Sequence, residues 1–468
     1  MSARGWFERL LDTVADHGRD LIGLRDPDER DAPSNAELCH RLVDGVGEAS
    51  NIALAREILQ RWTGMDEVGR REFVNLLAVE FDPDPDAIVR AAGAYRARDP
   101  ERLRELLEAT EPPRQELFRR LNMAPGGTKV LVDMRSFLLG ELREHPEFRN
   151  VDADLQHLLG SWFNRGFLRL ERIDWNSPAE ILEQLIRYEA VHPMRGWDDL
   201  RRRLAADRRC FAFFHPALAQ TPLIFVEVAL TRGVSASIAP LIDPQAPIAD
   251  PAIADTAVFY SINNALTGLR GVSFGNFLIK QVVTELGAEF PDIDTFVTLS
   301  PVPRMRSALG ELLGQDSATA DELRLLLARH QAALREASAC DQPLAALDRL
   351  LERDLPRELT GFVGAVLREL ALFYLLRMKR RAHAVDPVAN FHLSNGARLE
   401  RINTVANPSE RGRRESWGCM VNYRYDGATV VENHEAYVGE GKIALSKELD
   451  RLNRQLASVL TREASEVH

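Results

Sequence analysis

The chain predicts a two-domain architecture of the α+β or α/β kind, an all-helical N-terminal domain followed by a mixed sheet with helices, and three observations carry it. Its 468 residues, 45% of them hydrophobic, exceed what one core usually holds, since single cores rarely grow past about 250–300 residues. Up to about Trp162 apolar residues recur at helical spacing. From Gly166 onward, runs with the character of strands begin. The expected division is a helical domain suited to oligomerisation over 1–160 and a sheet domain over 161–468 with a helical insertion at about 302–385.

In the first half, Phe73, Leu76, Leu77, Val79 and Phe81 mark one apolar helical face, while FDPDPD (Phe81–Asp86) and APGG (Ala124–Gly127) read as breaks between helices. FLRLERI then alternates apolar and charged residues with period two, as a half-buried strand does. Further strands are expected at Cys210–His215, Leu223–Leu230, Ala257–Ile262 and Phe296–Ser300. Between the last two, FLIKQVVTELGAEF predicts a helix with Phe277, Ile279, Val282, Val283 and Leu286 inward. Two strands flanking one helix imply a crossover and a parallel pair. A long helical region follows to about Arg381. Its segment LTGFVGAVLRELALFYLLRMKRR carries Arg368 and Glu369 in the middle, which suits a buried helix better than a membrane span. The sheet is expected to resume near Phe391, placing His392 at a strand end.

The net charge of −11 argues against a general nucleic-acid binder, which needs a basic face to release phosphate counterions. Cys39, Cys210, Cys340 and Cys419 are far apart and form no CxxC pair, so neither a zinc site nor a disulfide framework is expected. A reducing cytoplasm fits best. The opening MSARGWFERLLDTVADHG lacks the apolar core of a secretory signal, and the closing SEVH is no peroxisomal SKL address. The longest uncharged run, Cys210–Val226, is broken by His215, Pro216, Gln220 and Pro222 and falls short of a bilayer span. A soluble protein is expected.

Three segments carry chemistry. In LTGLRGVSFGNFLIK (Leu266–Lys280), the pattern Arg270-x-x-Ser273-x-Gly275 resembles the R-x-x-G-x-G/A loop of GNAT-type acyltransferases, where backbone amides and a helix N-terminus hold the coenzyme A pyrophosphate. The helix dipole alone contributes about 0.3–2 kcal/mol, so directed amides and Arg270 must supply most of such affinity. Ser300 ends a strand and precedes Pro301, Val302 and Pro303. That pattern reads either as a helix N-cap or as a hydroxyl presented at the edge of a sheet. His392, in NFHLSNG, is either a satisfied core residue or a proton-transfer group, and Tyr425 in NYRYD is either a strand aromatic or a hydrogen-bond partner of His392 or of an acyl group.

GLRGVSFGNFLIK, TLSPVP, DPVANFHLSNGA, RIN (Arg401–Asn403) and NYRY (Asn422–Tyr425), in that order, resemble the malonyl-CoA decarboxylase family, over roughly Arg165–Tyr425 and more loosely in the helical half. The resemblance implies a helical domain that assembles a homotetramer and a GNAT-like catalytic domain. It also implies conversion of malonyl-CoA to acetyl-CoA and CO2 with no metal or prosthetic group. It places the coenzyme A loop on Arg270, Gly271, Val272, Ser273, Phe274, Gly275 and Asn276, the serine on Ser300, the histidine on His392 and a nearby tyrosine on Tyr425. Ser273 stands where some members are associated with glutamate, so no acidic role transfers there. His192 and His215 lie in segments that also resemble the family and are given packing or orienting roles. The alternatives are an acyl-CoA-dependent N-acyltransferase, which needs an amine acceptor, and a non-catalytic assembly protein that senses acyl-CoA.

Overall fold

The computed structural model describes residues 33–45, 47–218, 220–272, 278–352 and 355–466. Two compact units divide the chain. One runs to Arg169 and takes in Phe214–Leu223 and Asn264–Gly275, and the other is built from Leu170–Phe213, Ile224–Asn263 and Asn276–His468.

The first unit is helical because its sequence supplies both starts and stops. Ser34 opens Asn35–Asp44 with a reciprocal capping box to Glu37, and Asp66, Asp84 and Asp99 cap the helices Glu67–Val79, Pro85–Ala94 and Pro100–Thr110. The FDPDPD break is therefore a buried Phe81 followed by the Asp84 cap and Pro85 in the first turn. At APGG the chain turns through Gly126 in the left-handed region, φ 75°, before the helix Gly127–Glu141. Trp62, Phe73, Phe118, Leu131 and Leu155 form the core of this unit, each such side chain contributing about 1.5–3 kcal/mol by leaving water. Leu77 joins them, whereas Val79 points to solvent.

In the second unit eight strands form one sheet. Their spans are β1 Arg169–Ile173, β2 Arg208–Phe214, β3 Ile224–Thr231, β4 Thr256–Asn264, β5 Thr295–Thr298, β6 Ser300–Pro301, β9 Arg398–Asn403 and β10 Met420–Tyr425. The order is β1-β2-β3-β4-β5-β10-β6, with β9 also on β10. β4 and β5 are parallel and flank the helix Leu278–Glu289, as the expected crossover requires. β2 and β3 pair antiparallel and are buried on both faces, which is why they read as continuous apolar runs without alternation. Between β6 and the short pair β7 (Lys379–Arg380) and β8 (His383–Ala384) stand the helices Met305–Leu313, Ala318–Ser338, Pro343–Leu351 and Arg357–Arg377. Among the described residues, Arg357–Arg377 is long and apolar enough to cross a membrane, yet 56% of its apolar window is buried within the fold. Glu369 of that helix takes His330 at 2.8 Å, so its mid-helix charge is satisfied inside the protein.

Two local expectations are overturned. His392 is not at a strand end but in the last turn of the helix Pro387–Ser394, and the sheet resumes only at Arg398. The cause is legible: Asp386 accepts from Ala389 N at 2.7 Å as N-cap, and Pro387 fills the first helical position. The Asn395-Gly396 pair ends this helix. Ala397 N donates to His392 O and Gly396 N to Leu393 O, with Gly396 at φ 81°, the Schellman pattern. A β-carbon at Gly396 would fall 1.9 Å from Val430 O, so only glycine fits. The helix-cap reading of Ser300 is also overturned: Ser300 pairs with Val421 in the sheet, and the next helix starts at Met305 after Arg304, φ 61°.

Candidate active site

β10 pairs with β5 at Phe296 and Val297 and with β6 at Ser300 and Pro301, while Leu299 between them donates its N–H to Phe259 O of β4. The β5/β6 edge therefore kinks away from β10 at Thr298, and side chains replace the missing ladder bonds. Tyr423 N donates to Thr298 Oγ1 at 3.1 Å, and Asn422 Nδ2 donates to Thr298 O at 2.7 Å, beside a register shift between Asn422 and Tyr423. The kink presents Ser300 Oγ to the helix Pro387–Ser394.

There Ser300 Oγ and His392 Nε2 lie 3.0 Å apart, although the residues are 92 positions apart in sequence. On its other side His392 Nδ1 meets Tyr425 OH at 2.8 Å, and Ser300 Oγ donates to Thr298 Oγ1 at 2.9 Å. The imidazole stacks on Tyr423, ring centroids 4.7 Å apart, which fixes its plane. Two proton arrangements satisfy this chain: Tyr425 O–H gives to Nδ1 while Nε2–H gives to Ser300 and Ser300 to Thr298, or Ser300 O–H gives to Nε2 while Nδ1–H gives to Tyr425. Ser300 is 6% exposed and His392 3%, and burial pushes the imidazole down to about 3, so it is neutral near pH 7. Burial likewise holds the Tyr425 phenol well above its ordinary range. A neutral imidazole between two hydroxyls in a dry setting can pass a proton in either direction.

A family model described as the malonyl-CoA decarboxylase C-terminal domain matches residues 166–465, and one described as the N-terminal domain matches 81–163. The mitochondrial malonyl-CoA decarboxylase of Anser anser anser is 36% identical over 412 residues, covering 84% of this chain and 82% of that protein. Its Rattus norvegicus counterpart is 34% identical over 414 residues, covering 84% of each. The chain belongs to the malonyl-CoA decarboxylase family. A crystal structure of malonyl-CoA decarboxylase from Rhodopseudomonas palustris is similar with a TM-score of 0.80 at 45% identity, covering 90% of this chain and 100% of that one. One from Agrobacterium vitis gives 0.74 at 43% identity, covering 89% and 99%.

Of the loop that the malonyl-CoA decarboxylase resemblance assigns to coenzyme A, Ser273, Phe274, Gly275 and Asn276 lie outside the described residues. Arg270, Gly271 and Val272 are held by the helical unit to which they belong. Arg135, buried and paired with Asp152 at 2.8 Å, donates to Gly268 O at 2.7 Å and Arg270 O at 2.8 Å, and Gln156 Nε2 donates to Gly271 O at 3.0 Å. A β-carbon at Gly268 would sit 2.0 Å from Val132 O, so this close approach also requires glycine. The amides of Arg270 and Val272 are engaged within the turn, donating to Thr267 O and Leu269 O. The Arg270 side chain is exposed.

His192 and His215 are packed rather than paired with the serine. His192 is buried, pushed down to about 3 by burial and then by Arg203, and its backbone N–H and C=O bond Glu189 and Arg203. His215 sits 4.7 Å from the Phe163 ring and accepts from Ala217 N. Sequence reasoning missed Thr298, Asp386 and Tyr374 as supports of the site. The Asp386-Pro387 pair was a usable helix-start signal, whereas nothing local marks Thr298 or Tyr374. Among the described residues no group of three or more His, Cys, Asp or Glu is placed to hold a metal.

Proposed function

We infer that this chain is a malonyl-CoA decarboxylase that converts malonyl-CoA to acetyl-CoA and CO2, with Ser300, His392 and Tyr425 as its reacting constellation. The observation that carries the reading is the buried contact of 3.0 Å between Ser300 Oγ and His392 Nε2 in a member of this family. Loss of CO2 leaves an enolate, so the site must stabilise charge on the thioester oxygen and then protonate the α-carbon. The Ser300 hydroxyl turns from Thr298 to the substrate oxygen and donates to it as charge develops. The substrate carboxylate, an opposite charge brought beside His392, raises the imidazole pKa, so binding takes up one proton. The C–C electron pair flows onto the thioester as CO2 leaves. His392 Nε2 then gives its proton to the α-carbon, which leaves the ring neutral with its remaining proton on Nδ1 and Tyr425 as acceptor; proton uptake at Nε2 when the next substrate binds restores the charged form.

The thioester itself serves as electron sink, so this reading calls on no metal or prosthetic group. Arg270 supports the phosphates of coenzyme A. The same reading places the protein in the cytoplasm and makes it a homo-oligomer, a tetramer, assembled through the helical unit. Supporting assembly, the helices Pro85–Ala94 and Pro100–Thr110 bury no residue fully and leave Val89 and Leu107 exposed. The deciding experiment is incubation of purified protein with malonyl-CoA alone. Acetyl-CoA and CO2 in equal amounts are expected; a requirement for an amine acceptor would replace the decarboxylase with an acyltransferase.

A further inference from the structure

The helix that carries His392 and the strand that carries Ser300 are joined at their bases by a second chain of polar groups. Tyr374, on the helix Arg357–Arg377 and 1% exposed, places its hydroxyl 3.1 Å from Pro303 O and 3.3 Å from Asp386 Oδ2. Pro303 lies three residues beyond Ser300. Asp386 is the N-cap of the His392 helix and is itself 1% exposed. A phenol has one proton, and Pro303 O can only accept. If Tyr374 donates to Pro303 O, the contact to Asp386 Oδ2 is a hydrogen bond only when the carboxyl carries a proton and donates it to the phenol oxygen. If Asp386 is ionised, it draws the phenol proton to itself and Pro303 O loses that donor.

We propose that Asp386 and Tyr374 are positioning residues for the Ser300–His392 pair, forming a clamp that is complete when Asp386 is protonated and opens on the Pro303 side when it ionises. The proposal rests on the reading of that pair as the reacting groups. Burial pushes the Asp386 carboxyl up to about 7, against the hydrogen bonds from Ala389 N, Tyr374 and Val388 N, so the clamp titrates near neutral pH. The titratable groups facing Asp386 are Tyr374, Tyr423 of β10 and Tyr437 of the helix Val430–Glu440, with Glu415 adding negative charge; Arg304 and Glu311 act on Tyr374. Each of the three phenols is held in its neutral form by burial, so the proton count of the clamp is set by Asp386.

Asp386→Asn keeps an N-cap oxygen for Ala389 and offers an N–H to Tyr374 at every pH, mimicking the protonated acid. Below pH 6 its kcat/KM should match the wild type within about threefold. Above about pH 7 the wild type should fall behind the variant and level off at about tenfold, the loss that goes with the missing donor to Pro303 O. Parallel profiles would overturn the proposal. Tyr374→Phe removes the donor to Pro303 O and should lower kcat about tenfold below pH 6 and converge on the wild type above pH 7, with KM within about twofold and a folded circular-dichroism spectrum. A wild-type kcat in that variant below pH 6 would equally overturn it, and if it does not fold, the Asp386→Asn profile decides alone. An arm independent of turnover separates this proposal from the decarboxylase reading: the ring ¹⁵N signals of His392 in the free protein should shift with a midpoint near 7 in the wild type and stay flat in Asp386→Asn. Signals flat in both proteins would reject the clamp even in an active decarboxylase, and a shift in the wild type alone would uphold it even in an inactive one.

Discussion

Two buried histidines of the sheet unit have nearly the same electrostatic state and opposite surroundings. His392 and His192 are both buried and both pushed down to about 3, chiefly by burial. His392 has a hydroxyl on each ring nitrogen, Ser300 and Tyr425. His192 belongs to a charged cluster in which Arg203 donates to Glu227 Oε2 at 2.5 Å and to the His192 carbonyl, while Glu189 takes Ser261, Asn263 and the His192 amide. There, burial raises Glu227 to about 7 against the pull of Arg203. The lesson is that a perturbed pKa alone does not mark a reacting group, because structural ion pairs perturb as strongly. What separates the two is the hydroxyl on each ring nitrogen of His392, where the His192 ring bonds the Tyr260 backbone and leaves a buried Nε2 without a partner among the described residues.

The comparison breaks most visibly in turnover. His392→Ala should lower kcat by about 10²–10⁴-fold, the usual worth of general acid catalysis, while His192→Ala keeps kcat within about threefold; steady-state rates with malonyl-CoA check both. Equal losses would dissolve the distinction. Stability should show the reverse ranking. Arg203→Met leaves the Glu227 carboxylate buried without its partner and should cost about 3–5 kcal/mol in urea unfolding, whereas Arg203→Met with Glu227→Leu should recover most of it. Smaller again, Tyr425→Phe should reduce kcat about tenfold and stability by about 0.5–1.5 kcal/mol, the worth of one hydrogen bond. Chemical denaturation and rates on the same sample test that split.

The two histidines also share a pH slope. Each binds a proton in the unfolded chain near 6.5 but in the fold only near 3, so between those values the unfolded state holds more protons. Stability therefore rises with pH across about 3 to 6.5 and is complete above it, each histidine contributing up to about 1.4 kcal/mol per pH unit. Asp386, raised from 3.8 to about 7, works in the opposite sense: its share is complete below 3.8 and is lost as pH rises through 7. Urea midpoints at pH 5 and 7 should show a shallower acid loss in His192→Gln and, by the same amount, in His392→Gln. An unchanged slope in either would mean that the ring is already charged in the fold.

Reading the residues in order located much of this architecture, and its failures are physical. β2 and β3 were legible because strands covered on both faces must be mostly apolar, their buried Arg208, Arg209 and Glu227 being paired exceptions. The helix Leu278–Glu289 was legible from its spacing, and the FDPDPD break from its proline and capping aspartate. His392 was misplaced because a segment of only eight residues with apolar neighbours about the histidine fits a strand or a helix, and the decisive Asp386-Pro387 and Gly396 signals stand at its edges. Ser300 carries the dipeptide of a helix start, but the pairing of β6 with β10 overrode that local preference.

By itself the sequence determined the succession of helical and sheet regions, the membership of Ser300, His392 and Tyr425 in recognisable segments, and the glycines that close packing demands at 268 and 396. These follow from forces that act over a few residues: capping, periodic burial and steric room. Only the tertiary structure decided that Thr298 departs from its strand partner, that Ser300 then faces Nε2, and that Tyr374 sits between Pro303 and Asp386. Those outcomes, and the neutrality of His392 with them, depend on groups up to 125 positions apart meeting where water is excluded, and no local preference specifies such a meeting.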